Sequence, residues 1–307
     1  MSTVLQQVPA HASPNDSQLA MAYSVCRSIT QRRAKNFYYA FLVLPRHKRQ
    51  ALCAVYAFMR KCDDLADDSN LPAQERREKL AAWVDAFHRA IAGQPTDDPI
   101  FLALTDTQHR FNIQIGWLDQ LAYGTEMDIA GEENGALTVS YRTFEELRVY
   151  CYRVASVVGL VCIRIFGYRD PAAESLAERC GLAFQLTNII RDVKEDAAMG
   201  RVYLPQEDLD RFGVTTTELA STTNPKRVRP LLAMEAERAR ENYQAGEQLL
   251  PYIDEDSRPA LWVLLTIYRR LLDKISRRGF DVFHEKIRLS TAEKLSILGK
   301  GFLQRLT

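Results

Sequence analysis

The run RKCDDLADD, Arg60 to Asp68, closes a stretch that reads as a buried helix. Its lead-in, RQALCAVYAFM, is mostly apolar, yet four aspartates follow within six residues. A carboxylate taken out of water costs free energy unless a partner offsets it. This feature limits the fold: the helix must end in solvent or deliver its aspartates to a place where cations meet them. On a helix from Arg46 to Asp67, residues three and four apart share a face. Tyr56, Arg60, Asp63 and Asp67 then form one stripe, with Asp64 and Asp68 beside it.

A second stretch repeats the pattern. In GLAFQLTNIIRDVKEDAAMGR, Gly181 to Arg201, the stripe is Gln185, Asn188, Asp192 and Asp196, flanked by Arg191 and Glu195. Leu182, Phe184, Leu186, Ile189 and Ile190 make the rest of that helix apolar. For either run alone, a solvated face laced with salt bridges is the plainer reading. Two matching runs, each in a helix too apolar for a surface, point instead to facing motifs across a bundle.

The remaining sequence supports an all-α fold. Apolar residues recur at helical spacing nearly throughout, as in Leu19, Tyr23, Cys26 and Ile29. The spacing predicts helices over 17–33, 36–44, 46–67, 73–92, 97–111, 113–127, 143–166, 171–197, 225–249, 257–279 and 290–304. Breaks fall at NLP, GQPTDDP, GEENG, GYRDP, TTNP and LLPYIDEDSRP. No alternating strand pattern, repeat or composition shift is evident. Residues 1–17 read as a disordered tail and 18–307 as a single domain.

Composition excludes several classes. With 40 basic against 39 acidic residues, no electrostatic footprint for nucleic acid exists. No G-x-x-x-x-G-K-[ST] is present, which argues against a P-loop nucleotide site. The six cysteines form no C-x-x-C and read as reduced, buried thiols. The N-terminus lacks the basic start and apolar core of a secretory signal, so a cytoplasmic location is expected. VASVVGLVCI and PALWVLLTIY are too short to span a bilayer and read as core helices.

Four or more carboxylates around one cavity repel one another unless cations fill the space. Oxygen ligands of this kind select hard divalent metals, and Mg2+ commonly shares its coordination with substrate phosphates. A diphosphate substrate follows, with Arg60, Arg191, Arg201 and Lys35 as candidate clamps. For each of these four, a surface salt bridge is a nearly equal reading. Loss of diphosphate from a carbon chain leaves a carbocation, which needs a dry pocket and benefits from aromatic faces. Phe37, Tyr38, Tyr39, Phe41, Tyr56, Tyr150, Tyr152 and Tyr268 are available, though each taken alone reads more simply as core, Tyr56 excepted.

NFYYAFLVLP, VYAFMRKCDDLADD, YCYRVASVVGLV, FQLTNIIRDVKEDAAMGRVYLP and LLTIYRRLLDKI together resemble the squalene/phytoene synthase family, over nearly all of residues 20–300. The resemblance implies an isoprenoid-synthase helical bundle around a central cavity. It implies Mg2+ held by Asp63 and Asp67 on one side and by Asn188, Asp192 and Asp196 on the other, with Gln185 lining the second motif. Tyr56, Arg60, Arg191 and Arg201 match diphosphate-side positions, Tyr150 and Tyr268 match cavity tyrosines, and Tyr150 is a candidate for assisting proton loss. Gly159 matches a place where the helix kinks or leaves room for the chain.

The implied reaction joins two prenyl diphosphates head to head through a cyclopropyl diphosphate. The sequence most resembles bacterial presqualene diphosphate synthases of the hopanoid pathway, which use farnesyl diphosphate. Phytoene synthesis from geranylgeranyl diphosphate is the alternative, and a non-catalytic assembly factor a remote one. One departure stands out: AKNF, Ala34 to Phe37, replaces the family's S-x-S-F, which weakens both the diphosphate contacts of that loop and any inference of bound NADPH. Transient contact with a membrane surface and hand-over to downstream pathway enzymes are further expectations.

Overall fold

A computed structural model describes residues 16–34, 37–68, 70–129, 139–220 and 225–306. The described chain is built from helices: α1 (Asp16–Arg33), α2 (Phe37–Phe41), α3 (Arg46–Ala66), α4 (Ala73–Ile91), α5 (Pro99–Phe111), α6 (Ile115–Ile129), α7 (Phe144–Cys151), α8 (Val157–Phe166), α9 (Ala172–Ala198), α10 (Gln206–Phe212), α11 (Thr216–Ala220), α12 (Pro225–Leu249), α13 (Arg258–Arg277) and α14 (Thr291–Leu306). The expected helices all appear, with ends shifted by a few residues. The first begins at Asp16, inside the expected tail, because an acidic first turn favours a helix N-terminus.

Local chemistry sets several boundaries. Asp98 caps α5 by accepting from the amides of Ile100 and Phe101, with Pro99 at the first helical position. Asn112 ends it in the left-handed conformation. Thr143 accepts from the Glu146 amide to start α7, while Glu146 reaches back to the Arg142 amide.

The span expected as one helix over 143–166 contains a π-helical turn, Tyr152–Ser156, between α7 and α8. The irregularity therefore precedes Gly159, and Gly159 has a different task. A Cβ there would stand 2.8 Å from the Ala177 carbonyl oxygen, and a Cβ on Gly181 would stand 2.6 Å from that of Ala155. The two glycines let α8 and the π turn lie directly against α9. Phe144–Phe166 is long and apolar enough by composition to cross a bilayer, but half of its apolar window is buried within this fold. It serves here as a cavity wall.

The core places α3, α8, α9 and α13 around a central space. α12 packs along the back of α9, α1 and α5 cover the outer face of α3, and α14 lies over α13 and α2. Buried Ala51, Leu52, Val55, Phe58 and Cys62 show why α3 sits inside: its apolar face is continuous almost to the aspartates. The six cysteines are all unbridged, as expected. Among the described residues, strand pairing is confined to a two-residue parallel ladder, β1 (Val139–Ser140) with β2 (Arg201–Val202), and one isolated bridge. That ladder and the short α10 and α11 are absent from the periodicity because each is too short to carry one.

Candidate active site

The central space is a cavity walled almost wholly by apolar side chains. Met59, Val158, Phe184 and Leu264 come from four different helices. Tyr56, Gln185, Asn188 and Tyr268 line both this cavity or its rim, and all but Gln185 also border a second, cation-rich recess holding Arg33, Arg60, Arg191, Lys286 and Arg288. The two spaces share Phe37 as well, so an apolar chamber opens beside a cationic vestibule.

The aspartates approach this recess through its cations: Arg60 stands near Asp63, and Arg191 and Lys286 pair with Asp192. Asp63 is half-open to water yet ringed by protein. Burial pushes its carboxyl up to about 7, Asp67, Asp128 and Asp64 add to the shift, and Arg60 opposes it. Arg60 donates from Nε to Asp64 at 2.8 Å and stands 3.9 Å from Asp63. Asp67 is exposed and meets Arg201 at 3.1 Å. Asp68 has a local duty, accepting from the Asn70 amide in a turn after α3.

The second pair is divided more sharply. Against the upward push of burial, Arg191 and Lys286 hold Asp192 below the usual carboxylate range. Arg191 Nε is 2.8 Å from Asp192 Oδ1, and so is Lys286 Nζ. Asp196 has no such clamp. Burial and then the Asp192 charge push it up to about 7, with Arg201 and Lys286 opposing.

A fifth carboxylate joins them. Asp128, at the end of α6, accepts from Tyr203 at 2.9 Å and from Tyr150 at 3.3 Å. Burial raises its pKa to about 6, while Arg201 and the two tyrosines oppose the rise. Asp63 and Asp196 both feel the Asp128 charge, so Asp128 belongs electrostatically to both motifs. Tyr141, Tyr150 and Tyr203 cluster beside it, with Tyr150 and Tyr203 stacked at 5.0 Å. Burial and the Asp128 carboxylate keep the Tyr150 phenol protonated far above its ordinary range. Tyr150 therefore keeps its phenol proton and directs it at Asp128.

Of the tyrosines expected in the cavity, Tyr268 lines it, whereas Tyr150 packs beside it with Tyr141 and Tyr203. Tyr268 is stacked on Phe184 at 4.3 Å and tilted against Phe37 at 5.8 Å, forming an aromatic wall. Burial raises the Tyr56 phenol to about 12. Asn188 donates weakly to Gln185 at 3.4 Å, while its own Oδ1 is buried without a partner. Lys35 and Asn36 lie outside the described residues. Sequence reasoning missed Asp128, Tyr203 and Lys286. Asp128 ends an apolar helix in the same manner as the paired aspartates and could have been found by that sign. Tyr203 follows the second motif in YLP, and Lys286 sits in a segment with no periodicity.

The donor set fits a hard divalent cation. Raised carboxyls that repel one another and an unpartnered buried amide oxygen are the marks of a site completed by a cation. Among the described residues, no three acidic, histidine or cysteine groups converge closely enough to hold a metal by themselves. The two motifs are linked through Arg201, which meets Asp67 and opposes the rise of Asp196. A dispersed set of this kind suits an ion that shares its coordination with substrate oxygens.

An all-α bundle around an apolar cavity, with acidic pairs on two of its helices, is the architecture of the isoprenoid-synthase class. The family model for squalene/phytoene synthase matches residues 30–293. The chain is 37% identical to a 15-cis-phytoene synthase of Synechococcus elongatus, over 98% of this chain and 99% of that protein. A solved dehydrosqualene synthase superposes with a TM-score of 0.83 at 32% identity, covering 93% and 96% of the two chains. The squalene synthase HpnC of Alicyclobacillus acidocaldarius gives 0.78 at 30% identity, covering 87% and 97%. The chain belongs to the squalene/phytoene synthase family of prenyltransferase-type enzymes.

Proposed function

We propose that this chain joins two geranylgeranyl diphosphates head to head and forms phytoene through a cyclopropyl diphosphate. The supporting observation is the 37% identity to a phytoene synthase over nearly the whole chain, cavity helices included. The sequence-based preference for farnesyl diphosphate gives way to it and becomes the second reading. That reading draws on the likeness to dehydrosqualene and squalene synthase structures.

In this proposal Asp63, Asp67, Asn188, Asp192 and Asp196 would hold Mg2+. When bound, the metal neutralises the diphosphate and eases its departure. Arg60, Arg191, Arg201 and Lys286 bind and orient phosphate oxygens. The apolar walls exclude water from the allylic cation left behind, and Phe184 and Tyr268 offer it aromatic faces. The double bond of the second substrate attacks, a carbon–carbon bond forms, and a proton is lost as the cyclopropane closes. In this reading Tyr150 receives that proton as its own passes to Asp128, the carboxylate it donates to. Such hydrogen bonds are often long before substrate binds, and 3.3 Å fits that pattern.

Mass spectrometry of products tests the reading. Purified protein is given Mg2+ with farnesyl or geranylgeranyl diphosphate, each with and without NADPH. Phytoene from the geranylgeranyl arm is the expected outcome; presqualene diphosphate or squalene as the main product would replace it with the second reading. An inert protein would point to a non-catalytic family member. An apolar product must leave into an apolar phase, so transient membrane contact and hand-over to downstream enzymes belong to the proposal. Exposed Leu295, Phe302 and Leu303 on α14 are the surface to watch in liposome sedimentation.

A further inference from the structure

Lys48 is a lysine with almost no access to water, its side chain 9% exposed. It lies at the opposite end of the cavity from the aspartates, in the first turn of α3. Burying an ammonium is costly unless its hydrogen bonds are met. Here Nζ donates to the Phe166 carbonyl oxygen at 2.7 Å, to Asp256 Oδ1 at 2.6 Å and to Ser257 Oγ at 3.0 Å, and Asp254 lies 3.7 Å away. All three ammonium donors are therefore used. None of these groups touches the acidic mouth, and the proposed chemistry does not employ them.

The partners belong to two helix ends, and Lys48 itself to a third, the start of α3. Phe166 closes α8, whose last carbonyls have no partner within the helix. Ser257 precedes α13, and Asp256 accepts from the Ser257 hydroxyl as well as from Lys48. The chain leaves α8 through Gly167 at φ +84, and a side chain there would overlap Asp254 Oδ2. The Asp254 amide in turn donates to the Gly167 carbonyl at 3.0 Å. Three helix ends are thus tied at one ammonium group.

The clasp stands about one turn from side chains that line the cavity. Leu52 is four residues from Lys48, Leu261 is four from Ser257, and Phe166 is itself a partner; all three line the cavity. We propose that Lys48 is a positioning residue that fixes the cavity floor, and so sets the longest prenyl chain the enzyme accepts. The inference rests on the proposed prenyl diphosphate chemistry. It goes beyond it by naming a specificity determinant that touches no substrate.

The test uses the full chain and three non-hydrolysable thiolo-diphosphate analogues with fifteen-, twenty- and twenty-five-carbon chains, titrated calorimetrically with Mg2+. Lys48→Met removes the ammonium at nearly constant bulk. Asp256→Ala removes one anchor and leaves the lysine, in case the first variant does not fold. Loosening the floor should shift the affinity ratio of the longest to the shortest analogue upward by about tenfold in either variant, since small changes in pocket length discriminate on that scale. Binding of the fifteen-carbon analogue should change much less. A uniform loss for all three chains, with the ratio unchanged, would make Lys48 a plain structural tie and overturn the inference. Chain-length selectivity that shifts in a protein without turnover would uphold the clasp while sinking the proposed reaction. A wild type that binds none of the three would overturn both.

Discussion

The two aspartate motifs share a spacing but not an electrostatic condition. On α9, Asp192 is already neutralised by Arg191 and Lys286, and its carboxyl is held below the usual range. On α3, Arg60 leans toward Asp64, and Asp63 is left to burial and to other carboxylates. Each motif holds one carboxylate met by the protein's own cations, Asp192 or Asp67, and one pushed up by burial, Asp196 or Asp63. The clamp on Asp192 is double, whereas the one on Asp67 is single and exposed. Under the proposed function, binding of a metal and diphosphate would draw Arg191 and Lys286 from the Asp192 carboxylate to phosphate oxygens, whereas Asp63 would meet the cation with no ion pair of that strength to break.

The comparison can be broken most forcefully at the aspartates themselves. Asp63→Asn and Asp192→Asn should each lower kcat by about 10³-fold, the scale of several kcal/mol of lost charge stabilisation. Both should keep the helical circular dichroism of the parent. Near-normal turnover in either variant, in a steady-state assay with Mg2+, would remove that motif from the site.

A smaller effect separates the motifs by sign. Without metal at pH 8, Asp63→Asn should raise the thermal midpoint, because it deletes a disfavoured charge. Asp63 is half-open to water, so the discounted gain is about 1 kcal/mol or roughly 2 °C. Asp192→Asn should lower the midpoint by a similar amount, because Arg191 and Lys286 lose their partner. The pH dependence follows the same logic. Asp63 and Asp196 have folded pKa values of about 7, above the ordinary carboxylate value. They bind more protons folded than unfolded, so the metal-free protein should lose stability as pH rises from about 4 to about 7. Asp192 is shifted the other way; its contribution is present above the ordinary value and disappears in stronger acid. Differential scanning fluorimetry from about pH 2 to about pH 8 checks both slopes, and like signs for the two Asn variants would erase the distinction.

The mildest test concerns Lys286. If it competes with metal for Asp192, Lys286→Met should lower the Mg2+ concentration for half-maximal activity by about threefold, the scale of one partly exposed ion pair. The same change at Arg60 should leave that concentration unmoved or higher. Equal responses in Mg2+ titrations would mean the two motifs are loaded alike.

The sequence by itself determined the helices and the acidic stripes. Ala51, Leu52, Val55 and Phe58 announce a buried face through their spacing, and Asp63 and Asp67 extend it in register, because helical geometry is local and repeats every few residues. For the same reason Asp192, Asp196, Gln185 and Asn188 could be placed on one face before any fold was known. Tertiary structure alone decided which cation meets which carboxylate. Lys286 reaches Asp192 from a segment 94 positions later, and Arg201 reaches Asp67 from 134 positions away. It also decided that Asp128 lies between the motifs, that the irregular turn falls at Tyr152–Ser156 before Gly159, and that Lys48 gathers three helix ends at the cavity floor. Pairings of that kind depend on how helices cross, and crossing depends on the summed shape of many side chains. No window of sequence holds that sum.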